Sequence, residues 1–196
     1  MASNKVQFGL SKCAYAVVTE TTTSGVTSSS YGTIKELAGA VSLSLSSSGS
    51  KSVFRADNED YFVSYGQGGF EGTLEVAKVN EGFLKDIFGM VEDNDKILVE
   101  SSASFQTTTY FALLFQFEGD QHSVNHCLYK VSAQRSDIAS QTTGEGGAIE
   151  PQTETLNITA VPRVDADKYI HIQTQDSTST AVTAAWYTAV PVPTFT

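Results

Sequence analysis

The sequence predicts a mainly β protein, two packed antiparallel sheets forming a sandwich or barrel, with one short flanking α-helix and long loops. Three observations carry this. Short runs alternate apolar and polar residues at period two, the pleat of a half-buried strand. Clusters of Gly, Ser, Thr and Asn separate those runs, as turns do in all-β folds. One segment, residues 80–89, carries an apolar stripe at helical spacing instead. At 196 residues the chain suits one domain with a single sizeable core.

In chain order, "TETTTSGVTSSS" (Thr19–Ser30) holds one apolar residue and is expected to be a flexible loop or arm. "AVSLSLS" is a strand with Val41, Leu43 and Leu45 on one face and Ser42, Ser44 and Ser46 on the other. "DYFVSY" and "GFEGTLEV" are expected to pair antiparallel around the glycine-rich "YGQGGF". In "NEGFLKDIFG", Asn80 is a natural N-cap, Phe83, Leu84, Ile87 and Phe88 form the docking stripe, and Gly89 stops the helix. Further strands fall in "KILVES", "TTYFALLFQFEG", "NHCLYKVSAQ", "TETLNITAV" and "KYIHIQTQ", with Gly119-Asp120 in a hairpin connection. A long loop at about 137–151 and an irregular C-terminal tail at about 176–196 complete the chain.

Composition excludes several functions. The formal net charge is -10, and from Ser52 to Tyr129 the cations Arg55, Lys78, Lys85 and Lys96 stand against 13 acids. A nucleic-acid reader needs a basic face to neutralise phosphates, so this balance argues against one. Gly66 and Gly68 begin a dinucleotide-type fingerprint, but Glu71 occupies the third glycine position and a strand pattern follows, so the glycines mark a turn or a close backbone approach. His122, His126 and Cys127 would chelate zinc from a helix; along a strand the two histidines sit roughly 13 Å apart, so no metal site is expected. "EDNDK" lacks the glycine and closing glutamate of a calcium loop. No nucleophile elbow, zinc-protease or P-loop motif occurs, and Glu71 with Glu75 has no pocket to mark it as an acid–base pair, so neither enzyme activity nor a cofactor is expected. His171 reads as a structural strand histidine. No apolar run is long enough for a membrane span, the N-terminus lacks a signal-peptide core, and Cys13 and Cys127 suit buried thiols in a reducing cytoplasm.

The run "ELAGAVSLSLSSSGSKSVFRADNEDYFVSYGQGGFEGTLEVAKVNEGFLKDIFG", followed in order by "FALLFQFEGD", "HCLYKVSAQR" and "AIEPQTETLNITAVPR", resembles the major tail protein, or tail tube protein, of long-tailed phages and prophages of Gram-positive bacteria. The likeness covers most of the chain but not Thr19–Ser30 or the segment from Asp176 onward. It implies a tail-tube-type β-sandwich or barrel with a flanking helix, six copies closing into a ring, and rings stacking into a tube. It also implies partners: the tape measure protein, the distal tail or initiator proteins and the tail terminator. Double-stranded DNA would cross the lumen without specific binding, and the protein would be assembled in the host cytoplasm and reside in the virion tail.

Under that resemblance the acidity acquires a use, because each phosphate held by a Lys or Arg would retain DNA that has to pass. Three strand faces are candidates for the lumen wall: Glu71, Thr73 and Glu75; Ser42, Ser44 and Ser46; and Thr153, Thr155, Asn157 and Thr159. Two alternatives share the strand pattern: a monomeric β-sandwich binding module or adhesin for carbohydrate, and the tube of a contractile tail or related injection apparatus.

Overall fold

The most apolar segments of the chain sit side by side at the centre of one nine-stranded antiparallel sheet. The structure, a computed structural model, describes residues 4–66, 68–102, 107–142, 151–165 and 167–195. Its elements in chain order are β1 (Gln7–Thr23), β2 (Val26–Tyr31), β3 (Lys35–Glu36), β4 (Ala40–Ser47), β5 (Lys51–Ala56), β6 (Glu59–Tyr65), β7 (Phe70–Val76), α1 (Glu81–Asp86), β8 (Val91–Glu92), β9 (Leu98–Val99), β10 (Phe111–Gly119), β11 (Val124–Ala133), β12 (Glu154–Ala160), β13 (His171–Gln173) and α2 (Thr180–Ala185). The large sheet runs β2-β1-β10-β11-β12-β7-β4, with β13 on β11 and β3 on β1. β5 with β6, and β8 with β9, are separate two-stranded ribbons. The sheet curls, because β4 at one end of the order returns to contact β1 near the other.

Curling creates an interior. Tyr15, Leu74, Phe111, Leu113, Leu128 and Leu156 meet there, each at most 1% exposed, and α1 closes one end of it. The Asn80 side chain accepts from the Phe83 amide at 2.7 Å, satisfying an orphan donor of the first turn. Phe83, Ile87 and Phe88 are buried and Leu84 is half-buried against the same core, as the helical stripe requires. Phe83 meets Tyr15 and Phe111 edge-on, with centroids 4.9 and 5.2 Å apart. At the C-terminal end of α1, Asp86 accepts from the Tyr15 hydroxyl at 2.8 Å and pairs with Lys35 at 2.6 Å.

β10 and β11 are buried on both faces. Their outer face carries Ala112, Leu114, Cys127 and Tyr129, next to Ala14 and Ala16 of β1. The small alanines allow the C-terminal segment to lie close, and Trp186 and Val190 seal this second layer. The Tyr129 hydroxyl donates to the Pro191 carbonyl at 2.7 Å.

The mainly β expectation holds, with differences that have local causes. Thr19–Ser30 is not a loop: it forms the outer end of β1 and all but the last residue of β2, an antiparallel ribbon turned at Ser24 and Gly25, both at positive φ. A two-residue turn of this hand matches strand twist and lets a polar segment satisfy its own backbone. β6 does not pair with β7. It pairs with β5 through the two-residue turn Asp57-Asn58, while β7 lies between β4 and β12. β4 with β7 and β5 with β6 are therefore two nested hairpin segments, with a break between them where the Gly66 amide donates to the Ser50 carbonyl at 2.8 Å. A Cβ on Gly49 would run into the Gly66 carbonyl oxygen, so the glycines at this break serve close backbone approach.

Val41 is displaced from its expected face by a bulge between Ala40 and Ser42 and is exposed, whereas Leu43 and Leu45 do face the core. The segment from Asp176, expected to be irregular, contains α2, capped by Ser179. Of the expected loop at 137–151, residues 143–150 lie outside the described residues. No helix among the described residues is long and apolar enough to cross a membrane.

Candidate functional site

The three polar faces singled out in the sequence are one surface. β12, β7 and β4 are adjacent, and their registers align Thr155, Glu75 and Ser42 in one row, Asn157, Thr73 and Ser44 in the next, and Thr159, Glu71 and Ser46 in the third. Residues paired across antiparallel strands project to the same side, so the nine side chains form a patch roughly 10 Å by 14 Å. Alternation sends Leu43, Leu45, Leu74, Leu156 and Ile158 to the other side, into the core. The bulge at Val41 sets the register of the serines on β4; without it Ser42, Ser44 and Ser46 would turn inward.

Thr153 joins the patch just before β12. Its hydroxyl donates to Glu75 Oε1 at 2.6 Å, and the Ser42 hydroxyl donates to Oε2 at 2.8 Å. These two bonds, Thr153 first, hold the Glu75 carboxyl below the usual glutamate range. Both carboxylate oxygens are thereby fixed in the plane of the hydroxyl carpet. Glu71 is exposed at the far end of the same strand. No Lys or Arg lies in the three rows. On neighbouring β11, Lys130 is buried, with its ammonium held by Glu20 at 2.6 Å and lying 4.4 Å from the Tyr110 ring centroid. The surface can thus repel or slide past a polyanion; it offers nothing to grip one.

A second surface was not read from the sequence. The β5–β6 ribbon carries Phe54 and Phe62 paired across the strands, with Tyr61 and Tyr65 beside them, and these rings are 61 to 74% exposed. A two-stranded ribbon is marginally stable in water, and this one leaves an apolar patch of large rings open to solvent. The available signal was the alternation in "KSVFRADNEDYFVSY" around Asp57-Asn58.

The candidate metal residues are dispersed. His122 contacts Asp176, His126 Nδ1 lies 3.1 Å from His171 Nε2, and Cys127 faces the opposite side of the sheet in the layer under Trp186. In the "EDNDK" turn, Asp93 accepts from the Asp95 and Ile97 amides, and Glu92 pairs with Lys85 and Lys96. No family model and no curated protein matches the chain.

Proposed function

We propose that this chain is a tail tube protein of a long phage-type tail, a structural subunit that closes into rings, stacks into a tube and lets double-stranded DNA pass along the three-row polar face of β4, β7 and β12. The observation that carries the reading is that face: ten hydroxyl, amide and carboxylate side chains, counting Thr153, with no cation in the rows. Phosphate neutralisation by Lys or Arg supplies most non-specific DNA affinity, so a conduit wall should lack it. The exposed rings of the β5–β6 ribbon supply apolar area for contacts between copies, and β4 and β2 are strand edges that ring closure can use. The sixfold ring and the tape measure, initiator and terminator partners rest on the sequence resemblance.

The test is charge reversal. Glu71→Lys with Glu75→Lys changes each copy by four charge units, about 24 in a ring of six, against one phosphate charge per ~1.7 Å of duplex. Tubes should still form, because Leu74 and Val76 point the other way. Genome ejection should slow or stall at low salt and recover as salt rises, since counterions compete for phosphates. Unchanged ejection at low salt from particles carrying both substitutions would remove the face from the lumen.

A further inference from the structure

Beside α2, a cleft of about 390 Å³ opens between the ends of β10 and β11 and the C-terminal segment. Its floor is two carboxamides, Gln116 and Asn125, directly opposite each other in the β10–β11 register and 8% and 5% exposed. Asn125 Oδ1 has no hydrogen-bond partner, an unusual state for a buried acceptor. The Thr183 hydroxyl, on α2, bonds back to the Thr180 carbonyl, and the Tyr187 ring forms an aromatic wall whose buried hydroxyl is likewise unpartnered. Charge is confined to Lys12, 5.9 Å from the Tyr187 ring centroid, and to Asp176, which is engaged by His122. A second cleft of about 410 Å³ shares Lys12 and Tyr187 with the first and is otherwise lined by Cys13, Ala14, Ile34 and Glu36.

We propose that this groove is a binding site for a neutral, polyhydroxylated ligand, a short oligosaccharide. A carboxamide presents a donor and an acceptor side by side, and two of them in the floor match neighbouring sugar hydroxyls. The Tyr187 ring gives a flat apolar face for the C–H side of a pyranose. Lys12 stands against Asp176 in the first cleft and Glu36 in the second, so a phosphate or other anion has no cluster of cations to hold it. The volume lies within the range of small-molecule sites, and the second cleft has room for a further ring.

Titration of the purified chain with N,N′-diacetylchitobiose, cellobiose and maltose, followed by ¹H–¹⁵N NMR, tests this. Saturable shifts are expected at the Gln116 and Asn125 side-chain amides and around Tyr187 for at least one sugar. Thr183→Phe, which fills the cleft from the helix surface, and Tyr187→Ala should each weaken that binding by about tenfold or more. Thr183→Phe should keep the wild-type unfolding temperature, which separates loss of the site from loss of the fold. The proposal is overturned by no saturable shift with any of the three sugars, or by unchanged affinity in Thr183→Phe. Shifts at these amides that arise only on self-association would overturn it too, by assigning the groove to a subunit contact. Because binding is measured on unassembled protein, either result is independent of tube formation.

Discussion

His126 and His171 face each other across β11 and β13, with ring planes 18° apart and centroids at 5.3 Å. One N–H is shared between His126 Nδ1 and His171 Nε2, leaving His126 Nε2 buried without a partner. The cleft around them is lined by Leu43, Leu45, Phe70, Phe115, Phe117 and Leu128, with no carboxylate to stabilise a cation. Burial, and then the neighbouring His171, push the His126 pKa down to about 4 from 6.5, and burial lowers that of His171. Between those two values the unfolded chain binds more protons than the native one. The stability this pair contributes is therefore complete above pH 6.5 and is lost progressively as pH falls toward 4. The unfolding temperature should drop across that window in wild type and vary less in His126→Phe; equal slopes would show that the pair does not control acid stability. A metal-based account makes the opposite demand on the same residues. Since His126 and Cys127 point to opposite faces, EDTA should leave the unfolding temperature unchanged, and stoichiometric zinc in the untagged protein would contradict this geometry.

At the scale of elements, α1 and the β5–β6 ribbon are opposites. α1 has only six residues, too few to persist alone, so it exists because Phe83, Ile87 and Phe88 enter the core. Phe83→Ala should cost about 3 to 5 kcal/mol of stability, measured by denaturant unfolding; a change under about 1 kcal/mol would mean that the ring is not part of the core. The ribbon should behave in reverse. Phe54→Ser with Phe62→Ser removes exposed rings, so the monomer should unfold at nearly the wild-type temperature, while the self-association proposed for this chain, read by sedimentation velocity, should be lost. The elements legible in the sequence were those whose pattern is local. β4, β7, β10, β11 and β12 alternate or run apolar, and α1 has cap, stripe and stop in ten residues. β1 was hidden because Gly9 and Lys12 at positive φ accompany two register shifts, which break the period of two. The outer part of β1 has no apolar residue, and β2 has only Val26 and Tyr31 at its two ends, so neither shows alternation, although Ser24-Gly25 carried the turn signal. α2, "TAVTAA", has no buried residue and hence no stripe.

Over the whole molecule, the members of the polar face could be named from the sequence, but their union could not. Alternation places Glu71, Thr73 and Glu75 together on β7, yet nothing local says that β4 and β12 flank β7, or that registers separated by up to about 115 residues bring three strips into one plane. That arrangement is fixed by the core, because Leu43, Leu74 and Leu156 must meet on the inner side. The same registration gives the chain an acidic, hydroxylated face free of Lys and Arg in its three rows, while the rings of Phe54, Tyr61, Phe62 and Tyr65 stay exposed on the β5–β6 ribbon. Electron cryo-microscopy of the purified protein, concentrated alone and mixed with a tail initiator complex, tests the proposed function most directly. The account predicts hollow tubes of stacked rings with Glu71, Thr73 and Glu75 on the inner wall. A protein that stays monomeric under both conditions, or tubes with this face on the outside, would contradict it.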